Sequence, residues 1–396
     1  MPRDECTVCV AAMLGTSRGT GTVRDNADDT CQILFEMADA DGASPSYVLR
    51  GHAAAVMAAR FASGAAWHDV SSGLPHLLSG SADGDLRIWS LQTCRPLAAA
   101  AAHPGSSILA VRSLASSRVL SHGRDRSVHL WDVGEAGIRG PVISLRSNSY
   151  NFCQAACSAA LATQPLKIDE AGVASDSGGG SAPLLAMPDE DAQLLNVFDV
   201  REPRTPVRVF SATPSEQLGK TGMCMCARFC QGDGLLVSGW EDGSLQCFDM
   251  RGGGAAAAHP PACRRVHTEP LLSLDMGPKE EHVLTGAADC SLQIVPLVDS
   301  APGAPDASLA IPLTHEHTGM GGIASVCVRP DGKIFAAGGW DKRVRLWQWR
   351  KWKPLAVLHQ HTATVNAVCF SDDSKCLASA STDCTIALWE LFPPKK

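Results

Sequence analysis

The chain has 396 residues, 45% of them hydrophobic and 19% charged, with a formal net charge of −7. This apolar share excludes wholesale disorder, and the acidic balance argues against a general binder of nucleic-acid backbones, so no direct nucleic-acid contact is expected. No run approaches the roughly 18 uninterrupted apolar residues of a membrane span, so a soluble protein without membrane contact is expected.

Residues 1–45 show no sustained periodicity and read as a flexible extension. Asp4, Glu5 and Arg18 surround only a short apolar run, which does not match a secretory signal. The 16 cysteines lie mostly singly in strand-like apolar runs, such as IASVCV around Cys327. There a free thiol packs as a small hydrophobe, and a reducing intracellular compartment is expected.

From residue 46 onward the chain repeats itself. SGSADGDLRIWSL (79–91), SHGRDRSVHLWDV (121–133), SGWEDGSLQCFDM (238–250), TGAADCSLQIVPL (285–297), AGGWDKRVRLWQW (337–349) and SASTDCTIALWEL (379–391) align without gaps. AMPDEDAQLLNVFDV (186–200) is a seventh, less regular copy. The turn Asp residues recur about 42 to 66 positions apart. In each copy an apolar strand b leads into a tight turn at Asp, and an alternating strand c follows. A period near 40–45 with a terminal Trp predicts β-propeller blades. The expected fold is all-β: a seven-bladed propeller over 46–394, with a Gly/Ser-rich insertion at 169–183 in blade 3.

A His precedes several of these copies, and a Ser or Thr stands four places before the Asp. Three copies hold all four groups of a buried hydrogen-bonded relay: His52, Ser79, Asp83 and Trp89; His103, Ser121, Asp125 and Trp131; His361, Ser379, Asp383 and Trp389. A buried carboxylate is tolerated only when so satisfied. The same types would make a nucleophilic triad, but their recurrence in three repeats suits a scaffold rather than one reaction centre. No enzyme activity and no cofactor are expected.

The last copy stops at strand c, with Leu391 followed by Phe392, Pro393 and Pro394. Ser46–Leu49 can supply the missing outer strand, so an N-terminal strand should close the ring.

Other candidates carry blander readings. Cys224, Cys226 and Cys230 lack the matched second pair of a zinc site and read as buried small residues. His315 and His317 fall where the blade pattern already requires a His. The Gly-rich 319–322 stretch lacks the Lys-Ser/Thr of a phosphate loop. No metal site is expected. RVRLWQWRKWK (343–353) fits strand c followed by a turn rather than a nucleic-acid contact. The residue just before each turn Asp should project onto the face that also carries the His loops. Arg124, Glu241 and Trp340, with Trp240 beside them, have the types of interface anchors or of ordinary surface variation.

The blade pattern resembles the WD-repeat family. LRGH, SHGRDRSVHLWDV, SGWEDGS, RPDGKIFAAGGWDKRVR and IALWELFPP are similar to its G-protein-β-like, ASTRA-associated branch, which includes plant members. The resemblance covers nearly all of 46–394 and implies a non-catalytic adaptor, monomeric as a propeller, within a multisubunit co-chaperone and chromatin complex. Such a complex supports maturation of phosphatidylinositol-3-kinase-related kinases and DNA-damage regulation, in cytoplasm and nucleus. For plant members it implies roles in embryo development and plasmodesmal transport. Residues 1–45 carry no heptads with which to pair a γ helix. The alternative, a chromatin or phosphopeptide reader, requires a basic aromatic pocket at Arg343, Arg345 and Trp340.

Overall fold

The computed structural model describes residues 44–64, 74–135, 137–147, 152–168, 174–175, 181–214, 219, 221–230, 232–251, 262–297, 309–312 and 321–391. The expectations placed on 1–43, on most of 169–183, on His315 and His317, and on residues 319–320 of the Gly-rich stretch lie outside those residues.

Alternation and turn chemistry build seven four-stranded antiparallel sheets, each meandering from an inner strand a to an outer strand d. Blade 1 runs Val56–Phe61, His76–Ser81, Asp85–Ser90 and Arg95–Ala101. Burial falls from the inside outward: strand b of this blade is almost wholly buried, whereas strand d is mostly exposed. Blades 2, 4, 5 and 6 repeat the four-strand meander over 108–146, 224–265, 271–312 and 323–359. Blade 3 departs from it. Its strand a shrinks to Ala156–Cys157, followed by a short helix, Ala159–Thr163, whose first turn is capped by the Ser158 hydroxyl.

Blade 7 takes three strands from the C-terminus, Val365–Phe370, Cys376–Ser381 and Thr385–Glu390. Its outer strand is Tyr47–Arg50, paired Tyr47 to Leu388 through Arg50 to Thr385. The ring is therefore closed by the N-terminal strand, and neither of these edges is left open. The apolar core lies between blades rather than within any one. Seven clusters each span one pair of neighbouring blades, such as Leu49, Trp89, Ile386 and Leu388 between blades 7 and 1.

Two local devices recur. In six blades strand a carries a bulge just after its first residue, as between Val56 and Ala58. A bulge sharpens twist. The b–c turn places the residue after Asp in the left-handed region: Gly84 at φ 87°, Gly243 at 80°, but also Arg126, Cys290, Lys342 and Cys384. At Gly84 a side chain would run into the His103 carbonyl and at Gly243 into the His267 carbonyl, whereas the turns at Arg126, Cys290, Lys342 and Cys384 accommodate one.

Candidate protein-interaction face and the relays beneath it

In a meander of this kind, the loops entering strand a and the b–c turns share one face of the ring. Backbone bonds tie them together. The amide before each turn Asp donates to the residue preceding strand a: Ala82 to Ala55, Arg124 to Ser107, Ala288 to Pro270, Trp340 to Gly322 and Thr382 to Thr364, at 2.8–3.0 Å.

Beneath this face lie the relays. In blade 2, His103 Nδ1 sits 3.0 Å from both Asp125 oxygens, Nε2 lies 2.8 Å from Ser121 Oγ, and Trp131 Nε1–H donates to that hydroxyl at 2.9 Å. Blade 7 repeats it: His361 reaches Asp383 at 2.9 Å and Ser379 at 2.8 Å, and Trp389 donates to Ser379 at 3.0 Å. A carboxylate can only accept, so the wiring puts the proton on Nδ1 and leaves Nε2 to accept from the serine. Burial would raise the Asp125 and Asp383 carboxyls. Bonds from the Ser127 and Thr385 hydroxyls and from the histidines outweigh it, holding both below the usual range. The serine hydroxyls are fully buried under tryptophan, so none can meet a substrate as a nucleophile.

Blade 1 does not use Asp83. His52 Nε2 and Trp89 Nε1 meet Ser79 Oγ at 2.6 and 2.7 Å, but Nδ1 lies 3.3 Å from Asp85. The reason is the residue two after the turn Asp. It is Ser127 in blade 2 and Thr385 in blade 7, and each donates its hydroxyl to the Asp. In blade 1 it is Asp85, which cannot donate and repels a second carboxylate. Asp83 therefore turns outward and accepts from Ser81, while Asp85 takes the histidine side and is balanced by Arg87 at 2.5 Å. Burial and the Arg87 charge push His52 down to about 4.

Blade 5 holds a shortened relay. His267 is 2.9 Å from Asp289 and 2.8 Å from Thr285, but Val295 ends it without a donor. Burial would raise Asp289; His267 and Ser291 outweigh it and depress the carboxyl strongly. In blade 6 Ala337 stands where the relay has its hydroxyl, and the described residues there form an ion pair. Arg345 grips Asp341 through two bonds of 3.1 and 2.6 Å, and both side chains are largely buried. Arg345 is therefore not on the surface, and the basic pocket with Arg343 and Trp340 is not formed.

Blade 4 corrects the placement of Trp240. Strand c there carries Phe248, which has no N–H to give Ser238. Trp240, from strand b, supplies it instead, with Nε1 donating to Ser238 Oγ at 2.8 Å. The indole is fully buried and is no surface anchor. The pattern Ser-Gly-Trp with Phe at the terminal aromatic position was the signal that could have revealed this exchange.

The remaining turn residues do reach the face. Glu241 is exposed and accepts from the Met223 amide at 3.0 Å. Trp340 is half-buried and lies against Gly322, where any Cβ would meet the ring. Arg124 is exposed, and its guanidinium stands 4.4 Å over the ring of Phe152. Phe152, not foreseen because it lies in an irregular loop, is 51% exposed.

His103, Asp125 and His129 bring three metal-competent atoms within 4.8 Å of one another. The two imidazoles stack at 4.9 Å with planes only 28° apart, which sends their lone pairs along nearly parallel lines rather than to one point. Among the described residues no better cluster occurs. Cys224 and Cys226 are buried, and Cys224 meets Cys153 at 3.8 Å. That contact and burial push the Cys224 thiol well up, as suits packing rather than ligation.

Sequence comparison agrees with this geometry. The model of the WD domain, G-beta repeat, matches residues 43–90, 311–348 and 352–390. Each match spans the outer strand of one blade and strands a to c of the next, and the first begins with the strand that closes the ring. The mouse guanine nucleotide-binding protein subunit beta-like protein 1 is 32% identical over 328 residues, covering 81% of this chain and 88% of the relative. The chain belongs to the G-protein-β-like WD-repeat family. Two fungal members of this WD-repeat group, both called ASTRA-associated protein 1, are also similar. That of Aspergillus niger is 29% identical, over 81% of this chain and 79% of its own. That of Schizosaccharomyces pombe is 27% identical, over 82% and 92%.

Proposed function

We propose that this WD-repeat propeller is a non-catalytic scaffold in an ASTRA-type co-chaperone complex that matures phosphatidylinositol-3-kinase-related kinases and feeds into chromatin and DNA-damage regulation. The name of the fungal relatives, ASTRA-associated protein 1, supports the complex. WD-repeat propellers are typically scaffolds of this kind. Cytoplasm and nucleus are the compartments that fit such a role, and in a plant the same role would underlie embryo development and plasmodesmal transport.

One observation carries the binding mode: the exposed Arg124–Phe152 pair on the loop face. A half-exposed aromatic ring held flat by a guanidinium loses little conformational freedom when a partner covers it, the property of an interface anchor. Affinity purification with quantitative mass spectrometry, comparing wild type with Arg124→Ala and Phe152→Ala, tests this. Co-chaperone subunits should fall away from both variants while their melting temperatures hold. Recovery of the same partners at wild-type levels overturns the assignment of this face.

A further inference from the structure

Strand a of every blade places one residue at the same level along the axis, one position beyond the partner of the relay Ser or its equivalent. These are Arg60 opposite Leu78, Arg112 opposite Leu120, Cys157 opposite Leu185 and Arg228 opposite Val237. Asp275 opposite Leu284, Cys327 opposite Ala336 and Cys369 opposite Ala378 complete the level. Arg60, Arg228, Asp275, Cys327 and Cys369 line a single cavity of about 360 Å³. They come from blades 1, 4, 5, 6 and 7, so the cavity sits on the axis and opens toward the a–b turns, opposite the loop face. Its size falls at the small-molecule end of ligand sites.

The charges at this level do not balance. Three arginines stand against one carboxylate, and burial raises the thiols of Cys157, Cys327 and Cys369 despite the opposing charge of Arg60, so they stay neutral. Arg228 pairs with Asp275, whose other oxygen accepts the Val328 amide at 2.7 Å. Arg60 has no carboxylate or hydrogen-bond partner among the described residues. Burial and the nearby Arg60 charge lower Arg228 to about 10, although its side chain keeps 36% of its surface open to the channel. Nearer the mouth the charge is mixed: Arg329 is held by Asp331 at 2.7 Å, and Lys279, Glu280 and Asp372 lie on the a–b turns. The uncompensated charge is thus deep, at Arg60.

We propose that this level of the channel binds a phosphate-class oxyanion between Arg60 and Arg228. Planar guanidinium groups grip such oxygens through paired N–H bonds, and Arg228 can do so with N–H groups left over from Asp275. The channel admits a small phosphate compound and not a folded partner, which separates this site from the protein-binding face.

Isothermal titration of the full chain with inorganic pyrophosphate, and separately with inorganic phosphate, tests the assignment. Arg60→Gln is the variant of choice, because it orphans no carboxylate; Arg228→Gln would strand Asp275. Wild type should take up one pyrophosphate per chain. Arg60→Gln should weaken binding about tenfold or more, the worth of a charge-assisted hydrogen bond, with an unchanged melting temperature in buffer. Arg60→Lys should retain part of the affinity. No uptake by wild type at millimolar pyrophosphate, or equal uptake by Arg60→Gln, overturns the proposal. Loss of partner capture by Arg124→Ala would leave pyrophosphate binding unmoved, so the two assignments fail separately.

Discussion

Ser46 and Leu388 stand 342 positions apart in the chain and are joined twice: the Ser46 amide and its hydroxyl both donate to the Leu388 carbonyl, at 2.8 and 2.9 Å. Three residues on, Leu49 is buried among Ile386, Leu388 and Trp89. The closure is thus a few backbone bonds and one apolar plug. Leu49→Ala should cost about 2–5 kcal/mol, as for other large-to-small core changes. Thermal melting would show it as a clear drop. A melting temperature equal to wild type would mean that this strand does not hold the ring.

Trp240 separates a surface reading from a core reading. An exposed anchor could be cut to Ala at a cost within about 0.5 kcal/mol. A buried indole should cost about 3–5 kcal/mol. Trp240→Phe should fall between them, since it keeps the ring and removes the N–H that Ser238 accepts. Urea unfolding of the two variants measures both steps.

The two turn carboxylates of blades 1 and 2 should behave differently. Asp125→Ala strips a fully buried His103 of its acceptor and should cost about 2–3 kcal/mol. Asp83→Ala removes only an exposed cap on Ser81 and should cost less than about 1 kcal/mol. Equal losses in unfolding experiments would return Asp83 to the relay.

His122 makes stability depend on mild acid. Burial lowers it to about 4, and its Nδ1 accepts the Ala155 amide at 3.1 Å across the blade 2–3 boundary. The unfolded chain, with an ordinary imidazole near 6.5, binds the proton that the folded state refuses. Stability is therefore complete above about pH 6.5 and falls as pH drops toward 4, by on the order of 3 kcal/mol for this group. His122→Asn should flatten that slope in melting curves between pH 4 and 7. A slope identical to wild type would show that His122 is not its source.

The relays show how far pattern reading carries. His103 and Asp125 stand 22 residues apart, as do His361 and Asp383, and this spacing delivered both pairings because repeat geometry is the same wherever the blade is regular. It misled at Asp83, because the deciding group was a neighbour, Asp85, whose charge excludes a second carboxylate from the histidine. It misled at Trp240, because one buried serine needs one N–H and either strand b or strand c can provide it.

Periodicity and turn residues alone determined the number of blades, the order of their strands and the closing partner of the last one, since each follows from contacts near in sequence or from an edge that must be paired. Which carboxylate meets which histidine, which tryptophan is buried, and the meeting of Arg60 with Arg228 in one channel were decided only by the closed ring. Those contacts join residues on different strands or opposite blades, and competition for space, protons and charge balance is settled where the side chains converge.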